Sequence, residues 1–528
     1  MTRPEVVVIG NGPVGATAAL LLARWGIPVV VLEAQPARAV VGSRSICQQR
    51  DVLDVWDSVG AGAIAAEGLT WTTARTYWRN RELSGWRFVD RGRSSFPPFV
   101  NISQSRTEQL LDERVAADPR IEVRWGHQVT GLHQDPAWVT VHCAGREPVR
   151  ARYVLACPGS HGQPVRAALG LRFDGETSAE QFLICDIRTE LPGWGGERRF
   201  YFDPPWNPDR QVLIHPCPDR TFRIDWQVPA GFELARAEAG GELAGRIRAV
   251  IGDRPFQLVW RSVYRFHSRV TDRMRAGRVL LAGDAAHMFS PFGARGLNSG
   301  VLDAENAAWK LAFVLRGWAP EALLDSYHAE RHAAAVENLA VTGATMRFLV
   351  PPDPAARRHR EQVLARAAAG DPAAAAQVDS GRLAEPYWYV DSPLTTPCRH
   401  RPFPGRPPKG EVPVPAPGVL VPDAPVRLPG GGAGRLRQLV RDGLLVLVPE
   451  GYPAAGVAVA VAAATPAPAR VLALADLDPD GTLREALAAA PGEVWLIRPD
   501  GHIAAVLPDP TPATVAGAVK RALAHIQK

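Results

Sequence analysis

Two short apolar runs, residues 5–9 and 28–32, stand near the start of the chain, and both are rich in β-branched residues. Unbroken apolar runs of this length predict parallel strands buried on both faces. Between them, residues 10–15 are glycine-rich and predict a turn, and residues 14–25 combine good helix formers with few breakers. The three pieces predict a βαβ unit. Further along, residues 106–118 predict a helix, and 121–125, 129–132 and 138–142 predict short antiparallel strands. Residues 153–156 return to a buried strand. From 181 to 228 the chain is strand-like and rich in aromatic residues, with turns at 192–196 and 204–208, as in a sheet that walls a pocket. Residues 278–282 predict another apolar strand and 300–315 a helix, while 351–376 is helical or a connector. The composition shifts near Asp391, and 396–417 is dense in proline and arginine, which predicts a linker. Beyond it, strands at 444–449 and 494–498 and a helix at 514–527 predict a separate small α/β unit.

Composition sets the outer limits. The chain has 528 residues, 46% hydrophobic and 22% charged, enough for a substantial core and, at about 150 residues per domain, for about two to four domains. Its net charge of +6 is spread without a block of like charge, so no nucleic-acid partner is expected. Only Lys310, Lys409, Lys520 and Lys528 are lysines; the other basic residues are arginines. The six cysteines are far apart, with no Cys-x-x-Cys and no Cys/His spacing for zinc, so no metal site is expected. Free thiols fit a reducing cytoplasm. The N-terminus lacks a basic region before its apolar run, and the longest apolar stretch, 456–464, is too short to span a bilayer, so neither a signal peptide nor membrane association is expected.

The chemistry begins at Gly10-Asn11-Gly12-Pro13-Val14-Gly15, between strand and helix. Gly10 permits a tight turn, Gly12 lets a pyrophosphate approach the backbone, and Gly15 lets helix and strand pack closely. Pro13 and Val14 open the helix whose N-terminus faces the phosphate. Glu33 closes the second strand, placed for ribose hydroxyls. An acid there repels a 2′-phosphate, which leaves NAD or the adenine half of FAD. A second signal lies in 277–310, where a strand delivers Gly283-Asp284 and a Gly/Pro loop precedes a helix starting near Asn298. An acid at a strand end can bind a sugar hydroxyl, and a helix N-terminus can stabilise negative charge on a ring.

With these motifs in order, the chain resembles the group A FAD-dependent aromatic hydroxylases, the family of para-hydroxybenzoate hydroxylase and phenol hydroxylase. The likeness rests on the glycine fingerprint with Glu33, Gly283-Asp284-Ala285-Ala286-His287, Gly296-Leu297-Asn298, Asp303-Ala304 and Trp309-Lys310-Leu311, together with Gly42-Ser43-Arg44 and Asn101-Ile102-Ser103-Gln104. The resemblance implies an α/β fold: a Rossmann-like FAD-binding domain with an interleaved β-sheet substrate domain and a thioredoxin-like C-terminal domain. Its divisions are 1–180 and 271–394 for FAD and a helical region, 181–270 for the substrate sheet, and 395–528 for the linker and tail. It implies that Gly10, Gly12 and Gly15 cradle the pyrophosphate and Glu33 holds the adenosine ribose. Arg44 and Gln104 contact the phosphate and ribityl region, and Asp284 the ribityl chain. The Leu297 and Asn298 backbone after Gly296 meets the flavin, with Pro291 beside it on the substrate side. The tail run from Gly492 to His502 carries the thioredoxin likeness but no Cys-x-x-Cys, so a structural or homodimer contact is implied rather than disulfide chemistry.

The implied reaction is hydroxylation of a phenolic or other electron-rich aromatic substrate, with NAD(P)H and O2, through a flavin C4a-hydroperoxide. Candidates for the substrate wall are Tyr201, His215, Arg223, Asp225, Trp226, Tyr264 and His267. Arg223 and Asp225 alternate with apolar neighbours, as on a two-faced strand, and His215 or His267 is a candidate base. His287 is expected to support its loop. One departure stands out. Family members carry an Asp-Gly pair where this chain has Cys157-Pro158-Gly159-Ser160-His161-Gly162. The proline removes an acceptor and an N–H donor from a region implicated in both nucleotide interactions, unless Ser160 or His161 substitutes. Two alternatives stay open: Baeyer–Villiger, epoxidising or oxidase chemistry on a polyketide-like ring, or a non-catalytic FAD-binding protein. Flavin halogenation is disfavoured because the chain lacks a Trp-x-Trp-x-Ile-Pro run.

Overall fold

The computed structural model describes residues 4–39, 44–87, 94–407 and 411–525. At its centre, Val6–Ile9 pairs in parallel with Tyr153–Ala156 on one side and Val29–Leu32 on the other. All three strands are buried along their whole length, as their unbroken apolar sequences require. Val279–Leu281 and Arg275–Ala276 extend the sheet at one edge. At the other edge Ile121–Arg124 joins parallel to Val29–Leu32. The expectation of an antiparallel partner for that segment is corrected: its alternating Glu122 and Arg124 suit a half-solvated edge, and nothing in four residues specifies strand direction. The antiparallel sheet consists of Val129–Gln134, Val139–Cys143 and Arg146–Ala151.

The helices Pro13–Arg24 and Arg295–Leu315 pack on each other beside the central sheet. The second starts earlier than the apolar pattern implied, because its first turn is built on a left-handed Ala294 rather than on an apolar stripe. A second, eight-stranded sheet runs in the order His287–Met288, Gln257–Thr271, Phe173–Arg188, Thr221–Val228, Gln211–Cys217, Glu197–Phe202, Thr73–Trp78, Arg81–Arg87. It draws on the aromatic-rich segment and also on strands far upstream. A helix of 25 residues, Asp325–Leu349, packs against Arg295–Leu315.

Ala469–Ala473, Leu444–Val448, Glu493–Ile497 and Ile503–Pro508 form a four-stranded mixed sheet in that order. Helices Ala454–Ala464 and Pro512–Ala522 pack together against it. This unit is less separate than its sequence suggests. One apolar cluster runs from Val446 and Val519 through to Trp309 and Phe313 of the helix Arg295–Leu315. The same seam carries a buried ionic network. Glu330 accepts from Lys310 Nζ at 2.6 Å and from Arg498 Nη2 at 3.0 Å, and Arg498 Nε donates to Asp500 at 3.1 Å. Burial opposes ionisation of Glu330, but the Arg498 guanidinium and the Lys310 ammonium hold its carboxylate below the ordinary range. Lys310 thus serves the seam and not a catalytic cavity. All six cysteines are free. No helix among the described residues is long and apolar enough to cross a membrane, and no cluster there has the makings of a metal site.

Candidate active site

A cavity of about 550 Å³ runs from the glycine turn to the inner face of the eight-stranded sheet. Its first end is built by close approach of backbone. Gly10 has φ +90°, and a Cβ there would lie 2.5 Å from the carbonyl oxygen of Cys157. A Cβ at Gly15 would lie 1.9 Å from the Gly10 oxygen. Gly12 differs: a Cβ there would meet nothing within 4 Å. Two glycines therefore close the turn and the third keeps open the space in front of it. That is the shape a pyrophosphate needs at the uncapped N-terminus of Pro13–Arg24. Pro13 and Val14 line the same end.

Glu33 follows its strand into this space. Its carboxylate accepts from the Asn11 backbone N–H at 2.7 Å and the Gln35 N–H at 2.9 Å, so backbone donors aim it. Arg38 lies beside it, tied to Asp112 at 2.6 Å. Gln104 opens a helix capped by Ser103, and its Oε1 accepts from the Ser45 N–H at 3.0 Å, which holds the strand entry next to Arg44. Gly42 and Ser43 lie outside the described residues. Arg44 stands over the Tyr264 ring at 5.5 Å.

The middle of the cavity is the loop 283–298. Gly283 has φ +62°. Asp284 borders the cavity, and burial raises its carboxyl above the ordinary value against the pull of His287 and Arg44. His287 Nε2 donates at 2.6 Å to Asp303, which also accepts from the Gly283 N–H at 3.0 Å and from Arg331 at 2.6 Å. His287 thus supports the loop, as expected. Pro291, Gly296 and Leu297 line the cavity, and a Cβ at Gly296 would again meet nothing within 4 Å. The Asn298 side chain turns away, bridging the Gln49 N–H at 3.0 Å and the Cys47 oxygen at 3.0 Å. The helix N-terminus beside it has no side-chain cap. Open space at Gly12 and Gly296, with two uncapped helix ends and two acids between them, fits an extended FAD.

Cys157, Pro158, Gly159, Ser160 and His161 border the cavity, with Ser160 and His161 exposed at its rim. The other end is aromatic. Phe182 stacks on Phe266 at 4.5 Å and meets Phe292 edge-on at 5.3 Å. His215, Arg223, Asp225 and Tyr264 all reach this wall. Arg223 is bound by both oxygens of Asp186, at 2.8 and 2.9 Å, and donates to the Arg44 oxygen at 3.0 Å. Burial, then Arg198 and Arg223, hold His215 well below its ordinary pKa and therefore neutral. Burial pushes the Asp225 carboxyl up to about 7, with Arg223 opposing it. Its buried Oδ1 has no partner among the described residues.

Three candidates fall elsewhere. His267 is corrected: it lies off the cavity with Nδ1 2.9 Å from the Thr177 hydroxyl. Tyr201 stacks on Tyr77 at 4.6 Å, also away from the cavity. Trp226 is wholly buried in the core behind the sheet. Sequence reasoning missed Arg198, Phe182 and Phe292, all of which line the wall. The signal for Arg198 was available, because alternation along Glu197–Phe202 puts it on the same buried face as Phe200 and Phe202.

Residues 3–342 match the family model described as "FAD binding domain". The chain is 34% identical over 369 residues to rifampicin monooxygenase of Streptomyces venezuelae, covering 67% of this chain and 74% of that protein. It is 31% identical over 373 residues to para-nitrophenol 4-monooxygenase of Pseudomonas sp. strain WBC-3, covering 67% of this chain and 90% of that one. Its fold matches a crystal structure of the flavin-dependent monooxygenase PieE with FAD and substrate at a TM-score of 0.85 and 23% identity, covering 99% of this chain and 100% of that one. The glycine cradle, the aimed acids and the matched family together identify the chain as an enzyme of the group A FAD-dependent aromatic hydroxylases.

Proposed function

We propose that this enzyme hydroxylates a phenolic or other electron-rich aromatic ring, using NAD(P)H and O2. The observation that carries the reading is continuity: one cavity joins the glycine cradle to a wall of phenylalanines that also bears Asp225. FAD, when bound, supplies the hydride-accepting and oxygen-activating chemistry. The chain does the rest. Gly10, Gly12, Pro13, Val14 and Gly15 shape the pyrophosphate site, with Glu33 at the ribose, Arg44 and Gln104 nearer the phosphates and Asp284 at the ribityl chain. Gly283 turns the loop, and Gly296, Leu297 and Asn298 present the helix N-terminus to the ring. Phe182, Phe266 and Phe292 bind and orient the arene beside Pro291 and keep water from it. Asp225, poised near neutrality, takes the proton of a ring hydroxyl at Oδ1. Neutral His215 positions that hydroxyl, and Arg223, occupied by Asp186, stiffens the wall.

We read the eight-stranded sheet as the substrate domain interleaved with the FAD domain, and the four-stranded tail as thioredoxin-like with a structural role. An NADH-specific resorcinol 4-hydroxylase among the relatives supports a nicotinamide reductant. The test is to load the protein with FAD and mix it anaerobically with NADPH or NADH, with and without a panel of phenols. Bleaching of the flavin band that a phenol accelerates is expected. Absence of bleaching with either nucleotide, while dithionite still reduces the flavin, sinks the reading.

A further inference from the structure

Arg198 lines the substrate end of the cavity as a buried cation that no carboxylate among the described residues contacts, although Asp379 and Asp225 attract it from beyond contact distance. The residue is 3% exposed. Among the described residues its single hydrogen bond runs from Nη2 to the Ser380 oxygen at 2.7 Å, and its Nε has no partner. Among the other buried arginines, Arg166 and Arg360 donate to backbone carbonyls away from the cavity, and several more are paired with acids. Arg223 is held by Asp186, Arg331 by Asp303, Arg437 by Asp51, and Arg498 by Glu330 and Asp500. Arg295, the remaining buried arginine of the cavity, also has an Nε without a partner among the described residues, but both its terminal nitrogens are occupied, by Asn338 and by the carbonyls of Arg382 and Leu383. A charge kept from water and left unpaired is costly, so its persistence calls for a partner that arrives from outside.

The sheet register shows where that partner sits. Arg199 lies opposite Ile214, which brings Arg198 beside His215, and His215 lies opposite Arg223. Leu213, two residues before His215, lies opposite Asp225. Nδ1 of His215 and Oδ1 of Asp225 are buried and unpartnered as well. Three incomplete polar groups therefore border the phenylalanine wall.

We propose that Arg198 is the specificity residue of this pocket and that the substrate is an aromatic acid whose carboxylate docks on the Arg198 guanidinium. The proposal rests on the reading of the cavity as an arene pocket. A carboxylate is the group that matches a planar fork of N–H donors. Burial lowers Arg198 to about 10, which leaves it cationic near neutrality.

The experiment titrates the FAD-loaded enzyme with two matched pairs: 3-hydroxybenzoate against 3-hydroxybenzamide, and 3-hydroxy-2-naphthoate against its amide. The readouts are the perturbation of the flavin absorbance and the shift in thermal unfolding. At least one acid is expected to bind about tenfold or more tighter than its amide, the scale of a charge-assisted hydrogen bond. Arg198→Met should bring the two to parity at unchanged FAD content, and Arg198→Lys should fall between. Equal affinity for acid and amide in the unaltered enzyme overturns the inference, as does a preference that survives Arg198→Met. If Arg198→Met does not fold, the ratio in the unaltered enzyme decides. A different result separates the two readings: if no probe of either pair perturbs the flavin and no phenol accelerates its bleaching, the arene pocket itself is refuted.

Discussion

The molecule buries charge in two places and finishes them differently. At the seam with the C-terminal unit, Lys310, Glu330, Arg498 and Asp500 are almost wholly removed from water, and each has an opposite charge in contact. On the cavity wall, Arg198, His215 and Asp225 are also sheltered, yet each has a polar atom with no partner among the described residues. The first arrangement holds surfaces together and needs nothing further. The second is complete only when something enters. Paired burial at the seam serves architecture, and the unpaired groups on the cavity wall are those that the proposed substrate would complete.

Breaking that comparison is straightforward. The largest effect is expected from Glu330→Ala, which strands two cations in the seam. Loss of one member of a buried pair costs about 3–5 kcal/mol, so thermal unfolding should move down sharply. The contrasting change, Arg198→Met, removes an unpaired charge and should leave the unfolding temperature unchanged or raised. A large destabilisation by Arg198→Met would erase the distinction.

The cofactor end offers the next contrast. Gly12→Ala points its methyl into open space, so the fold should survive while FAD affinity, measured by fluorescence titration, drops about tenfold or more. Gly15→Ala drives a methyl into the Gly10 carbonyl and should instead reduce folded yield. A smaller effect concerns Asp225. Acting as a base, it is competent once ionised, so kcat/KM for a phenol should rise with pH through about 7. Asp225→Asn should abolish that inflection; its survival would assign the proton to another group. The smallest effect is expected from His267→Gln, which lies off the cavity and should leave kcat/KM within about twofold, as surface changes away from a site do.

Much of this was legible in the sequence because backbone chemistry leaves its mark in glycine. The turn 10–15, Glu33 and the loop from Gly283 to Asn298 all fell where spacing put them. The helix Asp325–Leu349 was not legible. Its inward face carries Ser326, Glu330, Arg331, Thr342 and Thr345 among its buried residues, so no apolar stripe announces it. The wall residues were harder for a related reason. Alternation puts Arg198 on the buried face of its strand, but in the long strand Gln257–Thr271, half-buried over most of its length, the pattern does not tell that His267 faces away from the cavity. Strand direction at Ile121–Arg124 failed likewise, since it is set by what lies alongside.

The network behind the loop has a consequence for synthesis. Asp303 braces Gly283 and His287, Arg331 grips Asp303 and the Tyr389 hydroxyl, and Arg498 closes on Glu330, the residue next to Arg331. The ribosome makes Gly283, His287, Asp303, Glu330, Arg331 and Tyr389 in turn, and Arg498 emerges long after all of them. Until then Glu330 and Lys310 share a pocket that lacks its third member. A nascent chain can therefore complete the bracing behind Gly283 and His287 only after Arg498 has been added.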